Sequence, residues 1–346
     1  MPSYKPSRDR AHYTAHVQEG RPFEVPAKST LLMAALADGL DWPYGCRVGL
    51  CGRCRCKLLH GEVSQIGGEH AALENSGNAG GYILACRALL VSDILVLPPE
   101  HQSDAGNEVQ ASVETVEALT GEIALLRLRL DNPYRMAYQA GQYARISVPD
   151  LVPPRCFSFA NACRGDGLLE FHIRLFAGGR LAEWIVEQAV SGAAMSVSSP
   201  LGDPAINGKD EPDGFVFIAG GTGAAPILAA LEELAAFGEP PPVTFIYAAR
   251  DQQHLYMKER LALLAASWPG TFRFEAILSR EDPNSAWRGL RGHIFDHLAN
   301  LLPSPNTRRA YLCGPPGLVD ATELALLKAG WAPSAVTADR FLPAFD

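Results

Sequence analysis

Four cysteines lie within eleven residues of the stretch YGCRVGLCGRCRC, at positions 44–56, and another follows much later in the chain. The spacing Cys46-x4-Cys51-x2-Cys54, completed by the distant Cys86, is the plant-type spacing for [2Fe–2S] ligands. Three thiolates on one tight loop converge on two irons, and the fourth closes the site from elsewhere in the fold. Structural zinc sites usually present paired C-x2-C knuckles, and the sequence has one such pair, so zinc is the weaker alternative.

The loop also contains two glycines that serve this chemistry. Gly49 and Gly52 let the loop curl so that backbone N–H groups point at the sulfurs, which stabilises the reduced, more negative state. Cys56 lies two residues beyond Cys54 in an emerging strand. We therefore interpret Cys56 as an ordinary packed cysteine and not as a ligand.

The length, composition and charge of the chain indicate how many domains it forms and where the protein acts. A chain of 346 residues with 47% hydrophobic and 20% charged residues predicts two or three globular domains. The segment MPSYKPSRDRAHYTAH has no apolar stretch able to act as a secretory signal, and no apolar run reaches a membrane-spanning length. We expect a cytoplasmic protein without membrane insertion, in which clustered cysteines stay reduced. The net charge of −8 argues against nucleic-acid binding.

The apolar pattern changes twice along the chain. Before residue 100, short strands and one helix, STLLMAALADG with Ser29 as its cap and Gly39 as its stop, fit a small mixed sheet. From Val109 to about Gly208, short strands with turn signals between them predict an antiparallel barrel. From Phe215, apolar runs alternate with helical stretches, which predicts a parallel sheet covered by helices. The predicted domains are 1–103, 104–208 and 209–346.

These segments together resemble a known family. PYGCRVGLCGRCRCKLLHGEV followed by LACRALLVSDILV is similar to the ferredoxin domain of the electron-transfer reductases that serve bacterial ring-hydroxylating and di-iron oxygenases. In that family a β-grasp plant-type ferredoxin domain is fused to an FAD-binding barrel and to a nicotinamide-binding domain of the ferredoxin–NADP reductase-like type. The resemblance covers almost the whole chain and implies an NAD(P)H-dependent flavin and iron–sulfur oxidoreductase.

The resemblance assigns a flavin site to the segment RCFS, which is similar to the family's Arg-x-Tyr-Ser motif on a barrel strand. It implies that Arg155 binds the FAD pyrophosphate, for which a guanidinium fork is well suited. Phe157 replaces the family's tyrosine, so stacking on the isoalloxazine is kept while the hydroxyl is lost. Ser158 is implied to donate a hydrogen bond near the flavin N5.

A second flavin element follows downstream. FHIRLFAGGRLAEWI resembles the family's strand, Gly-rich turn and helix start, where backbone N–H groups of Gly178 and Gly179 meet phosphate. Arg174 is implied to be a second basic contact. Ala182 stands where family members often carry Ser or Thr, so one phosphate hydrogen bond is expected to be missing. His172 is interpreted as a packing residue of the strand.

The nicotinamide segment begins with IAGGTGAAPILAAL, which follows a predicted strand and resembles the family's G-x-G-x-x-P turn. Its glycines permit close approach to a pyrophosphate, and Pro226 suits the first helical turn. YLCGPPGLVDA resembles the Cys-Gly-Pro motif, which implies that Cys313 lies beside the nicotinamide and the flavin N5. The tail DRFLPAFD brings Phe341 or Phe345 near the flavin or packs for stability. The implied nicotinamide contacts are Gly221, Thr222, Gly223, Pro226, Gly314 and Pro315.

The choice between NADH and NADPH depends on charge near the ends of the second and third strands. Arg250 and Arg280 are in range of a 2′-phosphate, and Ser279-Arg280 resembles an NADP-binding pair of plant-type reductases. Oxygenase reductases of this layout generally use NADH, so NADH is the expected donor and NADPH the alternative. Three acidic residues lie beside these arginines: Asp251, Glu281 and Asp282.

The implied function is electron transfer from NADH through FAD and the [2Fe–2S] cluster to an oxygenase component, or to a small ferredoxin that feeds it. Arg47, Arg53 and Arg55 around the cluster loop predict a basic docking face, an acidic partner and a salt-sensitive rate, on a monomeric protein. Two alternatives stay open. The same construction serves deoxysugar synthesis or a soluble ferredoxin, or the cysteine loop belongs to a non-enzymatic iron–sulfur or zinc sensor.

Overall fold

The computed structural model describes residues 11–18, 20–40, 42, 54–66, 81–97, 108–132, 136–148, 154–206, 212–236, 238–305 and 308–341. The chain divides into two compact units, Met1–Asp104 and Ala105–Asp346. Within the described ranges, no helix is long and apolar enough to cross a membrane. Several predicted residues lie outside the described ones: Cys46, Arg47, Gly49, Cys51, Gly52, Arg53 and Phe345.

In the part of the first unit that the structure describes, there is a small mixed sheet with one helix, as the sequence predicts. Its five-stranded sheet has the order β2-β1-β7-β3-β5, and β4 pairs with β6 in a separate two-stranded antiparallel sheet. Strand β1 pairs antiparallel with β2 and parallel with β7. The elements are β1 (His12–Val17), β2 (Phe23–Pro26), α1 (Leu31–Ala37), β3 (Arg55–His60), β4 (Val63–Gln65), β5 (Tyr82–Leu84), β6 (Ala88–Leu90) and β7 (Ile94–Leu97).

Helix α1 begins one residue later than the sequence suggests. Thr30 is its cap, and the Thr30 hydroxyl accepts a hydrogen bond from the Met33 N–H at 3.3 Å. The predicted cap, Ser29, is wrong because its own N–H closes a turn onto the Pro26 carbonyl at 2.8 Å. Gly39 ends the helix as predicted, with a φ of 77° that favours glycine.

The second unit begins with an antiparallel barrel, which confirms the predicted architecture. Its six strands have the order β11-β10-β13-β8-β9-β12, and a bridge between Phe159 and Phe171 joins the two ends of this order. Both aromatic side chains are fully buried in the barrel core. The elements are β8 (Glu108–Ala118), β9 (Ile123–Leu130), β10 (Tyr143–Ser147), β11 (Arg155–Ser158), β12 (Leu168–Arg174), α2 (Arg180–Glu187) and β13 (Ala194–Ser198).

The second unit continues as a parallel sheet with the order β17-β16-β15-β14-β18-β19. Every residue of β14 is buried, as expected for a central strand covered on both faces. The strand order reverses at β14, between β15 and β18, and ligands of such sheets bind at the carboxyl ends beside this reversal. The elements are β14 (Gly214–Gly220), α3 (Ala224–Ala235), β15 (Val243–Ala249), α4 (Lys258–Ser267), β16 (Phe272–Leu278), β17 (Leu290–Arg291), α5 (Leu298–Leu301), β18 (Arg308–Gly314), α6 (Pro316–Lys328) and β19 (Val336–Arg340).

An ion-pair network joins the barrel to the helices of the parallel sheet. Arg260 of α4 donates to Glu170 of β12 at 2.9 Å and also binds Glu232 of α3. Glu232 in turn accepts from Arg164 at 2.9 Å and from the Ala162 N–H at 3.1 Å. These contacts fix the barrel against α3 and α4, so the loops of both halves meet at a defined geometry.

Candidate cofactor sites

Two of the predicted cluster ligands are brought together in the first unit. Cys54 directly precedes β3 and Cys86 lies in the turn between β5 and β6, and the pairing of Arg55 with Leu84 brings these positions together. The Cys86 N–H donates to the Cys54 sulfur at 3.5 Å, and the two residues are only 7% and 2% exposed. A backbone N–H directed at a sulfur is the contact that stabilises a cluster thiolate. The described part of the cluster loop therefore fits an iron–sulfur centre.

The described residues next to Cys54 and Cys86 make packing, cation–π and carbonyl contacts. Cys56 is buried in the core of the first unit, opposite Ile83 in the strand pairing, which agrees with its interpretation as a packed cysteine. The Arg55 guanidinium lies 4.6 Å from the centre of the Tyr82 ring, within the range of a cation–π contact. Arg87, next to Cys86, binds the Ile66 carbonyl.

The RCFS segment forms β11, an outer strand in the order of the barrel sheet. Arg155 and Phe157 lie two residues apart and so share one face of this strand, and both are half-buried. Ser158, paired with Tyr143 across the sheet, is only 8% exposed. The strand thus presents, on one face, a guanidinium that suits a pyrophosphate and an aromatic ring that can stack on a flavin.

The Gly-rich turn before α2 has the geometry of a phosphate-binding turn. Gly178 has a φ of 75°, and the space around its Cα is open. Gly179 caps the first turn of α2 without a side-chain hydrogen bond, but its own N–H, a predicted phosphate contact, already donates to the Phe176 carbonyl at 3.0 Å. The N–H groups at this helix start that can meet an anion are therefore those that follow Gly179. The residues of β11 and of this turn therefore fit FAD.

The two predicted nicotinamide turns pack directly against each other. A Cβ on Gly223 would fall 2.2 Å from the Cys313 carbonyl oxygen, and one on Gly314 would fall 2.7 Å from that of Gly220. Only glycine permits this approach, and Gly314 also needs its φ of 143°. Pro226 is the third residue of α3 and lies in its first turn, as predicted.

A cleft of about 360 Å³ opens at the carboxyl ends of the parallel strands. The glycine turn lines it with Gly221 and Thr222, and Tyr247 holds that turn by donating to the Gly221 carbonyl at 3.1 Å. The space around the Gly221 Cα is open, so a ligand can approach its backbone. The remaining lining residues that bear on recognition are Glu122, Arg174, Arg250, His254, Ser279, His293, Phe295 and Pro315.

Arg174 lies in this cleft, although the sequence suggested a flavin phosphate contact for it. Its guanidinium donates to Glu122 at 3.1 Å and lies 5.3 Å from the centre of the Phe176 ring. Arg250 lines the same cleft, whereas Arg280 is exposed and lies outside its lining. Ser279 reaches the cleft and donates to the Ala249 carbonyl at 3.3 Å.

Cys313 is the penultimate residue of β18 and is completely buried. Its sulfur lies 3.9 Å from a carboxylate oxygen of Asp339, its partner in β19. Burial, and then the charge of Asp339, raises the pKa of the Cys313 thiol well above its ordinary value, so the thiol is neutral. Phe341 packs against the same core, and its N–H donates to the Gly314 carbonyl at 2.8 Å.

His172 is a packing residue, as interpreted from the sequence. It is 4% exposed, and its Nδ1 lies 3.2 Å from the Tyr256 hydroxyl. Burial, and then the nearby charges of Arg260 and Arg127, lower the pKa of His172 to about 3. The imidazole is therefore neutral at neutral pH.

Two features of the cleft were missed by the sequence reasoning. Glu122 enters it from the turn before β9, where no motif marks the residue. His293 and Phe295 line another part of the cleft with rings stacked at 5.1 Å and 6°. Gly292, with a φ of 102°, precedes this pair and was the one available signal of a special turn.

Comparison with known proteins agrees with these three sites. A 2Fe-2S iron-sulfur cluster binding domain model matches residues 15–91, an oxidoreductase FAD-binding domain model matches 110–205, and an oxidoreductase NAD-binding domain model matches 217–323. The chain is 31% identical over 328 residues to the xylene/toluene monooxygenase electron transfer component of Pseudomonas putida, covering 93% of this chain and 91% of that protein. It is 32% identical to the aromatic O-demethylase reductase subunit of an Amycolatopsis species, covering 94% and 97% of the two chains.

Solved structures give the same result. The crystal structure of an Amycolatopsis cytochrome P450 reductase is similar with a TM-score of 0.66 and 30% identity, covering 96% of this chain and 99% of the other. The ferredoxin reductase in carbazole 1,9a-dioxygenase has a TM-score of 0.64 and 27% identity, covering 96% and 98%. The cofactors of this oxidoreductase are a [2Fe–2S] cluster, FAD and NAD(H). The chain belongs to the family of ferredoxin-fused, FAD-dependent NAD(P)H reductases of the ferredoxin–NADP reductase-like type, which includes the electron-transfer components of bacterial multicomponent oxygenases.

Proposed function

We propose that this protein passes electrons from NADH to the oxygenase or hydroxylase component of a multicomponent system, or to a small ferredoxin that feeds it. The observation that supports this most strongly is the contact between the glycine turn and the Cys-Gly-Pro turn beside a flavin-type barrel, in a chain that also holds paired cluster cysteines. Bound flavin accepts the two electrons of a hydride and gives up single electrons, which a [2Fe–2S] cluster requires. Relatives named as oxygenase electron-transfer components support the choice of acceptor.

The roles of individual residues follow from this proposal. Arg155 binds the FAD pyrophosphate, Phe157 stacks on the isoalloxazine, and Ser158 donates near the flavin N5. Cys313, neutral and buried near the end of β18, borders the position of the nicotinamide. We assign domains 1–103, 104–208 and 209–346 to the cluster, FAD and NADH. The cluster ligands are Cys46, Cys51, Cys54 and Cys86; the dinucleotide contacts are Arg174, Gly178, Gly179, Gly221, Thr222, Gly223, Pro226, Gly314 and Pro315.

We further propose an acidic partner and a monomeric, cytoplasmic protein. The cluster-side arginines of the sequence favour a partner with negative charge near its redox centre. The cysteines that bind the cluster must stay reduced and not form disulfides, which favours the cytoplasm as the location. Because exposed charges are screened by salt, the rate of electron transfer should fall steeply as ionic strength rises.

The test begins with a visible spectrum of the purified protein under argon, before and after addition of NADH. Flavin and iron–sulfur absorption that NADH bleaches is the expected result, and absence of either absorption or of bleaching would overturn the proposal. Stopped-flow comparison of NADH with NADPH then identifies the donor.

Reconstitution with a hydroxylase component and with a soluble ferredoxin, each over a series of salt concentrations, identifies the acceptor. A rate independent of salt contradicts the acidic partner.

A further inference from the structure

Among the described residues of the barrel, Glu122, in the turn before β9, contributes a carboxylate to the dinucleotide cleft. The backbone of this residue is fixed, because its N–H donates to the Thr120 hydroxyl at 3.1 Å and its carbonyl accepts from the Leu175 N–H at 2.8 Å. The side chain therefore lines the cleft from an anchored position.

Three basic side chains surround this carboxylate. The Glu122 Oε2 accepts from the Arg250 guanidinium at 2.5 Å and from the Arg174 guanidinium at 3.1 Å, and its Oε1 lies 3.8 Å from the His254 Nε2. Desolvation opposes the charge of Glu122, but the hydrogen bond from Arg250 and the charges of all three neighbours outweigh it and lower the pKa of Glu122. The carboxylate is ionised, and it neutralises the guanidinium nearest to it.

Arg250 lies where its pairing with Glu122 can affect recognition of the dinucleotide. Arg250 follows β15 and lines the cleft together with Ser279, which follows β16. These two strand ends are where a dinucleotide fold places the ribose of the adenosine half, and where an arginine receives the 2′-phosphate of NADP. Here the guanidinium is already bound to a carboxylate that reaches it from another part of the fold.

We propose that Glu122 is a specificity-determining residue that selects the dinucleotide without a 2′-phosphate. It occupies the Arg250 guanidinium and sets a negative charge where the 2′-phosphate would lie, whereas a ribose hydroxyl can donate to the same carboxylate. His254, which lines the same cleft, is held by Asp251, with its Nδ1 2.6 Å from the Asp251 Oδ1. The inference rests on the proposed preference for NADH and gives it a cause.

The test measures binding of two adenosine fragments to the purified holoenzyme by isothermal titration calorimetry. The probes are 5′-AMP and 2′,5′-ADP, which differ only in the 2′-phosphate. We expect Glu122→Gln to tighten the binding of 2′,5′-ADP by about tenfold, the effect of removing one like charge at a partly exposed site. The affinity for 5′-AMP should change less than twofold, because the amide oxygen of Gln still accepts from the ribose hydroxyl. Equal changes for both fragments, or no change, would overturn the proposal.

Two further variants test whether the effect on 2′,5′-ADP binding is specific to Glu122 and Arg250. Glu117→Gln is the matched control, because Glu117 is an exposed carboxylate paired with Arg127 at 3.1 Å and is not part of the cleft lining. It should leave both dissociation constants unchanged. In the double variant Glu122→Gln with Arg250→Gln, the gain for 2′,5′-ADP should disappear, and its persistence would show that Arg250 is not the group that Glu122 masks.

The outcome separates this inference from the proposed function. Reduction by NADH tests the donor in the unmodified protein, whereas the fragment titrations need no turnover. A protein that is bleached by NADH but whose Glu122→Gln variant binds 2′,5′-ADP as before keeps the proposed function and loses this inference. A protein that prefers NADPH loses the proposed donor, and the fragment titrations then still report whether Glu122 acts on the 2′-phosphate.

Discussion

The buried neutral histidine of the barrel predicts a specific loss of stability in mild acid. His172 faces the Tyr256 hydroxyl and lies near the positive charges of Arg260 and Arg127, and its pKa is lowered to about 3. In the unfolded chain the same imidazole has an ordinary pKa of about 6.5. The unfolded state therefore binds a proton below pH 6.5 that the folded state refuses until pH 3, so stability is full above pH 6.5 and falls as the pH drops between these values.

The magnitude follows from the two pKa values. Between pH 7.5 and 5.5, linkage gives a loss of about 1.4 kcal/mol in the free energy of unfolding from this one residue. For a unit of this size that loss lowers the melting temperature by about 3–6 °C. His172→Gln keeps a polar partner for Tyr256 but has no proton to bind, so its own change between the two pH values should be smaller by this amount.

The assay is thermal unfolding at pH 7.5 and 5.5 with excess FAD, followed by the fluorescence of flavin released from the unit that holds His172. His12→Gln serves as the control, because His12 is exposed and lies in the other unit, and it should show the full wild-type difference. If His172→Gln loses as much stability as the wild type between the two pH values, the assignment of the acid sensitivity to His172 is wrong.

Three further predictions concern the cluster, the ion-pair network and the contact between the two turns. Cys86→Ser should abolish iron–sulfur absorption while flavin reduction by NADH continues, whereas Cys56→Ser should keep its iron, measured by iron analysis and visible spectra. Glu232→Gln should lower the free energy of unfolding by about 3 kcal/mol in urea titrations, because Arg260 and Arg164 lose their shared carboxylate at a site only 15% exposed; a cost below about 1 kcal/mol would contradict this. Gly223→Ala should weaken NADH binding strongly, since its Cβ would meet the Cys313 carbonyl at 2.2 Å, while Gly238→Ala, with open space around it, should leave the dissociation constant unchanged.

Much of the fold was predictable because its signals are local. The alternating apolar pattern of β9, the uninterrupted one of β14 and the cysteine spacing each depend on residues close in the sequence. The start of α1 shows the limit of such signals. Ser29 and Thr30 are both of types that cap helices, and the Ser29 N–H forms a turn onto the Pro26 carbonyl while Thr30 caps the helix.

In the candidate site, too, some residues carry a local sequence signal and others do not. Its glycine turns carry a local motif, because backbone approach to phosphate requires glycine at fixed spacing. Glu122 carries none, since it acquires its meaning only by meeting Arg250, 128 residues further along the chain. Arg174 had a local motif, but its long side chain turns to that same carboxylate.

The sequence by itself determined the three kinds of domain, their order and the chemistry that they carry. Periodicity and ligand spacing are properties of neighbouring residues, and they hold whatever the rest of the chain does. Only the tertiary structure decided that the two glycine turns touch and that a barrel carboxylate enters the dinucleotide cleft. The physical reason is that charge neutralisation and close packing act across space, between residues whose separation in the sequence carries no information about their contact.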